Sequence, residues 1–163
     1  PRDLAFGRGG TLFFSERFAS RIRRVDPSSE VVTTVAGTGR SASDLPHGDG
    51  GPATEADLKF PGPLAIDGAG NLVFADGDRF IRRVNARTGL IQTLAGTPRS
   101  EYLRDGGAAY AAALSDPFGL ALDEDQNLYI ADLGNHRIPA VTRRILPRTA
   151  TADLRPRPGS STR

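Results

Sequence analysis

The chain has 163 residues, 38% hydrophobic and 25% charged, with 19 glycines, 12 prolines and no cysteine. This is the make-up of a turn-rich globular chain, and it excludes disulfides and thiolate metal sites. No run approaches the roughly 20 apolar residues that span a bilayer, and Pro1-Arg2-Asp3-Leu4-Ala5-Phe6 lacks a signal-peptide layout, so no membrane partner is expected and no compartment is indicated. The formal charge of +2 divides unevenly: residues 137–163 hold seven arginines against Asp153, or +6, leaving −4 on residues 1–136.

In chain order, the first apolar run is Leu4-Ala5-Phe6, followed eight residues later by Leu12-Phe13-Phe14-Ser15, then by Ile22 to Val25 and Val31 to Gly37. Aromatic and branched residues make each a predicted strand, and the Gly-bearing links between them predict hairpins. A connection follows, Asp49-Gly50-Gly51-Pro52 through Leu58, whose Pro and Ala residues predict one or two helical turns, with Leu58 as a buried anchor. The pattern then repeats as Leu64 to Asp67, Leu72 to Asp76, Ile81 to Val84 and Leu90 to Gly96. A second connection, Asp105-Gly106-Gly107 to Leu114, echoes the first. The third copy runs Leu120 to Asp123, Leu128 to Asp132 and Ile138 to Val141, and loses its fourth strand after Pro139.

A fixed repeat of four short antiparallel strands predicts an all-β chain of propeller blades, approximately 1–39, 60–98 and 116–142, within a unit spanning 1–142. Residues 143–163 carry Pro147, Pro156 and Pro158 among arginines and are read as a basic, disordered tail. Three blades do not close a ring. The missing methionine also points to a longer parent, so further blades in such a parent, or pairing of two chains, are expected.

Pro117-Phe118-Gly119-Leu120-Ala121-Leu122-Asp123, Asn127-Leu128-Tyr129-Ile130-Ala131-Asp132 and Gly134-Asn135-His136-Arg137-Ile138 together resemble the NHL repeat family, and Val35-Ala36-Gly37-Thr38-Gly39 with the linker Asp49-Gly50-Gly51-Pro52-Ala53-Thr54 resembles the longer-blade type found in bacterial proteins. The resemblance implies structural roles for Asp76, Asp132, Asn135, His136 and Arg137. The first copy departs from the pattern with Glu16, the second with Gly77-Asp78-Arg79-Phe80, and the third with Pro139 inside its third strand.

Asp123-Glu124-Asp125-Gln126-Asn127 spaces oxygens as a calcium loop begins, but Leu128 stands where that loop needs glycine and no closing Glu follows. A hairpin turn is the reading, and no metal or other cofactor is expected. Histidine suits metal ligation or base catalysis, yet His136 lies within the repeat motif. His47, beside Asp44 and Asp49 in a Gly-rich loop, forms a candidate binding cluster. Arg24 and Arg83 recur at one strand position and are candidate contacts for an anion such as RNA, although solvated strand ends read the same way. The acidic body, and the lack of aromatics interleaved with these arginines, speak against nucleic acid.

No Gly-x-Ser-x-Gly elbow occurs, and the predicted innermost strands read Leu-Ala-Phe, Leu-Ala-Ile and Leu-Ala-Leu, which is packing rather than a ligand set. The expectation is a non-catalytic scaffold that binds a protein, peptide or glycan through its loops. The alternatives are part of a lyase- or lactonase-like propeller enzyme whose channel residues lie in further blades, and RNA binding through the strand arginines.

Overall fold

The structure, a computed structural model, describes residues 1–43, 46–97 and 113–141. The second connection between residues 98 and 112, Asp44 and the tail 143–163 lie outside the described residues. Blade 1 comprises β1 (Leu4–Phe6), β2 (Leu12–Glu16), β3 (Arg21–Val25) and β4 (Val32–Ala36). Blade 2 comprises β5 (Leu64–Ile66), β6 (Leu72–Asp76), β7 (Phe80–Val84) and β8 (Ile91–Ala95), and blade 3 comprises β9 (Pro117–Leu122), β10 (Leu128–Asp132) and β11 (Ala140–Val141). Each is an antiparallel meander of adjacent strands, four-stranded in blades 1 and 2 and three-stranded among the described residues of blade 3.

Leu4, Leu64 and Leu120 fall on the first strands and Leu12, Leu72 and Leu128 on the second, as their constant offset predicts. The inner strands β1, β5 and β9 neighbour one another. Asp3 ties the first two together, its carboxylate accepting the Leu64 N–H at 2.7 Å. At the far end, the Arg8 guanidinium donates to the Gly68 carbonyl and the Gly68 N–H to the Gln126 side chain, linking the inner hairpin turns of all three blades.

Strand alternation explains the core. Leu64, Leu72, Phe74, Val84 and Ile91 project from one face of blade 2 and pack with Ala5, Phe13, Ile22 and Ala36 of blade 1. Val73, Ala75, Ile81 and Leu94 project from the other face and pack with Leu114, Leu128, Ile130 and Val141. Blade 2 is therefore apolar on both sides, as a sheet sandwiched between sheets must be. The outer face of blade 1 leaves Leu4 and Phe6 57% and 74% exposed, and that of blade 3, opposite Leu128 and Ile130, leaves Tyr129 38% exposed.

The first connection contains a single 3-10 turn, Ala53–Glu55, with Pro52 at its N-cap and Leu58 fully buried. Before that turn it runs beside β8: the Gly50 N–H donates to Ile91 O at 2.8 Å and the Ile91 N–H to Gly51 O at 3.0 Å. The connection thereby covers the outer edge of blade 2, which would otherwise offer unpaired backbone groups. Gly37 and Gly96 close their blades at φ of 95° and 103°, where a Cβ would collide with the carbonyls of Ser20 and Arg79.

Candidate functional site

The repeat motif forms a hydrogen-bonded knot. Asp132, fully buried at the end of β10, accepts from the Ser115 N–H at 2.7 Å, Asn135 Nδ2 at 2.8 Å and Arg137 Nε at 2.9 Å. Arg137 and Asn135 also donate to the Ala113 carbonyl, at 2.6 and 3.0 Å. His136 follows the 3-10 turn Leu133–Asn135 in the left-handed region at φ 53°. Its backbone N–H donates to Leu133 O at 3.2 Å, while the residue as a whole is exposed. In blade 2 the equivalent Asp76 accepts from the Lys59 N–H at 2.7 Å and from Arg82 Nη1 at 3.0 Å. Burial pushes the Asp76 carboxyl upward, against the pull of Arg82 and of the Lys59 N–H.

The His47 loop is fastened to the same knot. Arg82 Nη2 donates to the His47 carbonyl and to Asp49 Oδ1, both at 2.7 Å, and the other Asp49 oxygen accepts the Thr93 N–H at 3.0 Å. Both carboxylate oxygens of Asp49 are thus committed to holding the connection on blade 2. The His47 ring is exposed, with Nε2 2.8 Å from Ser43 Oγ.

Arg24 and Arg83 occupy equivalent positions, opposite Phe13 and Val73. Each therefore shares the face that its blade turns toward the next, and they lie in successive inter-blade clefts rather than on one continuous surface. Arg24 is exposed and donates from Nε to Thr33 Oγ1 at 3.1 Å. Arg83 is half-buried. Asp123 accepts from the Asn127 N–H and Nδ2, both at 2.8 Å, and from Tyr129 OH at 3.1 Å. These bonds hold its carboxyl below the usual carboxylate range. Asp67 and Asn71 repeat the two Asn bonds at 2.8 Å each, as a hairpin device should.

A broad concavity lies where the middle turns of all three blades converge. A cavity of about 500 Å3 is lined by Arg17, Asp78, Arg79, Ser115, Asp116 and Asn135, with Ala113 and Leu114 at its base. Beside Arg17 stands an aromatic pair: Phe18 meets Phe60 edge-on at 6.1 Å between ring centroids, and the Arg17 guanidinium lies 5.7 Å from the Phe60 ring. Phe60 and Asp116 hold equivalent places, each directly before a proline and each at positive φ, 48° and 53°. That conformation is costly for a residue other than glycine, and proline restricts it further. Asp116 is pinned there by donating its N–H to Asp78 O at 2.8 Å and accepting from the Leu133 N–H at 3.2 Å.

No sequence motif singles out this cavity. A signal was nevertheless present, because Arg17, Asp78, Arg79 and Asn135 all fall one to three residues beyond the motif acids Glu16, Asp76 and Asp132.

Comparison with known proteins supports the architecture. No family model matches the chain. Mouse teneurin-4 is 37% identical over 97 residues, which cover 54% of this chain and 3% of that protein. Zebrafish teneurin-3 is 38% identical over 97 residues, 54% of this chain and 4% of that protein. Among solved structures, a protein of unknown function from Bacteroides thetaiotaomicron superposes with a TM-score of 0.72 at 19% identity, covering 85% of this chain and 34% of that one. An auxiliary nutrient binding protein from Bacteroides ovatus gives 0.62 at 19%, covering 84% and 36%. Virginiamycin B lyase from Staphylococcus aureus gives 0.58 at 14%, covering 88% and 38%. The chain thus spans little more than a third of each of these structures and a few per cent of the teneurins. At these identities the structural likeness establishes the fold, an all-β array of propeller blades forming an incomplete ring.

Proposed function

We propose that this chain is an NHL-type propeller segment that acts as a non-catalytic binding scaffold, taking a ligand at the cavity where its middle turns converge. The observation that carries the reading is the convergence itself. The middle turns of three blades and the segment that leads into β9 each contribute polar side chains to one concave site, and turns carried on a rigid scaffold are a common way to position a binding surface. The hydrogen-bonded set Asp132, Asn135 and Arg137 supports the NHL assignment, because it uses the motif residues to fix the turn that borders the cavity. The described lining offers arginines, carboxylates, a hydroxyl and an amide but no histidine, tyrosine or lysine, a set better suited to holding a ligand than to moving a proton near neutral pH.

The test is retention of ligands from mixed peptide and glycan panels by the immobilised full chain, compared with Arg17→Ala and Asp116→Ala at matched thermal stability. The reading expects wild-type retention that both substitutions abolish. Retention indifferent to both, or turnover of a panel member, overturns it.

A further inference from the structure

We propose that the turn-end cavity takes a neutral saccharide, an inference that rests on the binding-scaffold reading and names the class of ligand. Two guanidiniums, Arg17 and Arg79, and two carboxylates, Asp78 and Asp116, line the same cavity together with Ser115 and Asn135. Among the described lining residues, equal numbers of opposite charges give a polyanion little net attraction. The phosphates of RNA or the carboxylates of an acidic peptide would also meet Asp78 and Asp116 within the site. A sugar hydroxyl has the opposite virtue, since it both donates and accepts: its lone pairs answer guanidinium N–H groups and its O–H answers a carboxylate. Neighbouring hydroxyls on one ring can therefore use both signs of charge at once.

The aromatic pair supplies the second half of a sugar site. Phe18 is 89% exposed, although large apolar side chains are normally covered, and it sits on the turn Arg17–Ala19 that borders the cavity. Its ring is braced edge-on by Phe60, which in turn lies under the Arg17 guanidinium. A pyranose ring carries its C–H groups on its faces and its hydroxyls around its rim. It lays the former on an aromatic ring while directing the latter at the polar groups alongside. The positive φ of Phe60 and of Asp116 places one ledge residue and one cavity carboxylate at matching points of successive blades. Costly backbone maintained at both points fits a site being positioned rather than a turn that merely closes.

The experiment is isothermal titration of the full chain with maltohexaose, cellohexaose, xylohexaose and mannohexaose, alongside polygalacturonate, an acidic peptide and single-stranded RNA. At least one neutral oligosaccharide is expected to bind. Phe18→Ala should weaken it by about tenfold, the scale of a lost aromatic contact, Phe18→Trp should retain it, and Asp116→Asn should weaken it without lowering thermal stability. Because Phe18 is exposed, its replacement leaves the fold intact. Failure of every neutral oligosaccharide at millimolar concentration, or preference for polygalacturonate or RNA, overturns the saccharide inference. Binding of the peptide that depends on Arg17 and Asp116 overturns it too, while leaving the scaffold reading in place; loss of dependence on those residues for every ligand removes both.

Discussion

The Arg82 guanidinium lies 3.0 Å from the Asp76 carboxylate, and both groups are buried. Pro139 fills the place of Arg82 in blade 3, opposite Ile130 as Arg82 is opposite Phe74, and cannot supply a cation. Asp132 instead takes Arg137, two residues earlier in sequence. In blade 1 the place of Arg82 belongs to Arg23, which lies 3.5 Å from Glu16. One acidic position is thus neutralised in every blade, by arginines from two different registers.

Removing these arginines should have unequal effects. Arg82→Leu leaves Asp76 buried without its partner and releases both His47 and Asp49, so a loss of about 3–5 kcal/mol is expected, the range for breaking a buried ion pair. Arg137→Leu should cost less, because Asp132 keeps the Ser115 N–H and Asn135 and the Arg137 side chain is 16% exposed. Urea unfolding of the two variants measures the difference, and equal losses would count against the knot as described.

Gly96→Ala should be severe and Gly50→Ala mild. Both have positive φ, 103° and 83°, but an alanine methyl at Gly96 strikes the Arg79 backbone whereas at Gly50 it meets open space. The second change carries only left-handed backbone strain, about 1–3 kcal/mol, and the first adds a steric clash that requires the turn beside the cavity to move. Thermal melts separate them, and a Gly96→Ala protein as stable as Gly50→Ala contradicts this geometry.

Acid should weaken the fold through its turns. The Ser28 hydroxyl and the backbone N–H groups of Ser28 and Ser29 hold Asp26 down to about 2, and Asp57 and Asp123 are also lowered, chiefly by hydrogen bonds from Thr38 and Asn127. For a carboxyl whose folded pKa lies below its unfolded value of about 3.9, the stabilisation is complete at neutral pH and is lost as pH falls toward the folded value. Asp76 has the opposite sign, because burial raises it, and protonation there favours the folded state. Denaturant midpoints between pH 6 and 2 should fall, and Asp123→Asn, which keeps an oxygen for the Asn127 N–H, should flatten the slope. An unchanged slope would show that the turn carboxyls are not linked to folding.

The uncovered end faces should drive association. If about 400 Å2 of apolar surface were covered on one face, the gain would be about 10 kcal/mol, comparable with the whole stability of a typical domain. Light scattering of the 163-residue chain should therefore report species larger than a monomer, and Leu4→Ser with Phe6→Ser should shift them toward monomer. A monomer that binds no hydrophobic dye would reject the expectation.

The repeat, and with it the blades, was legible because strand alternation and turn chemistry are local: the eight-residue offset between Leu64 and Leu72 survives translation from sequence to strand without any knowledge of the rest of the chain. The Asp-Asn turns and the buried Leu58 were legible for the same reason. Which charges are buried was not. Arg82 and Arg83 are neighbours of one residue type. Alternation sends Arg82 toward blade 1, where Asp49, 33 residues earlier, meets it, and sends Arg83 toward blade 3. The cavity is less local still, since Arg17, Arg79 and Asp116 come together only when three blades are set side by side. Sequence periodicity determined each blade, because a strand's two faces are fixed residue by residue; the packing of one blade on the next decided the site, because its members share no segment and meet only through the apolar faces between them.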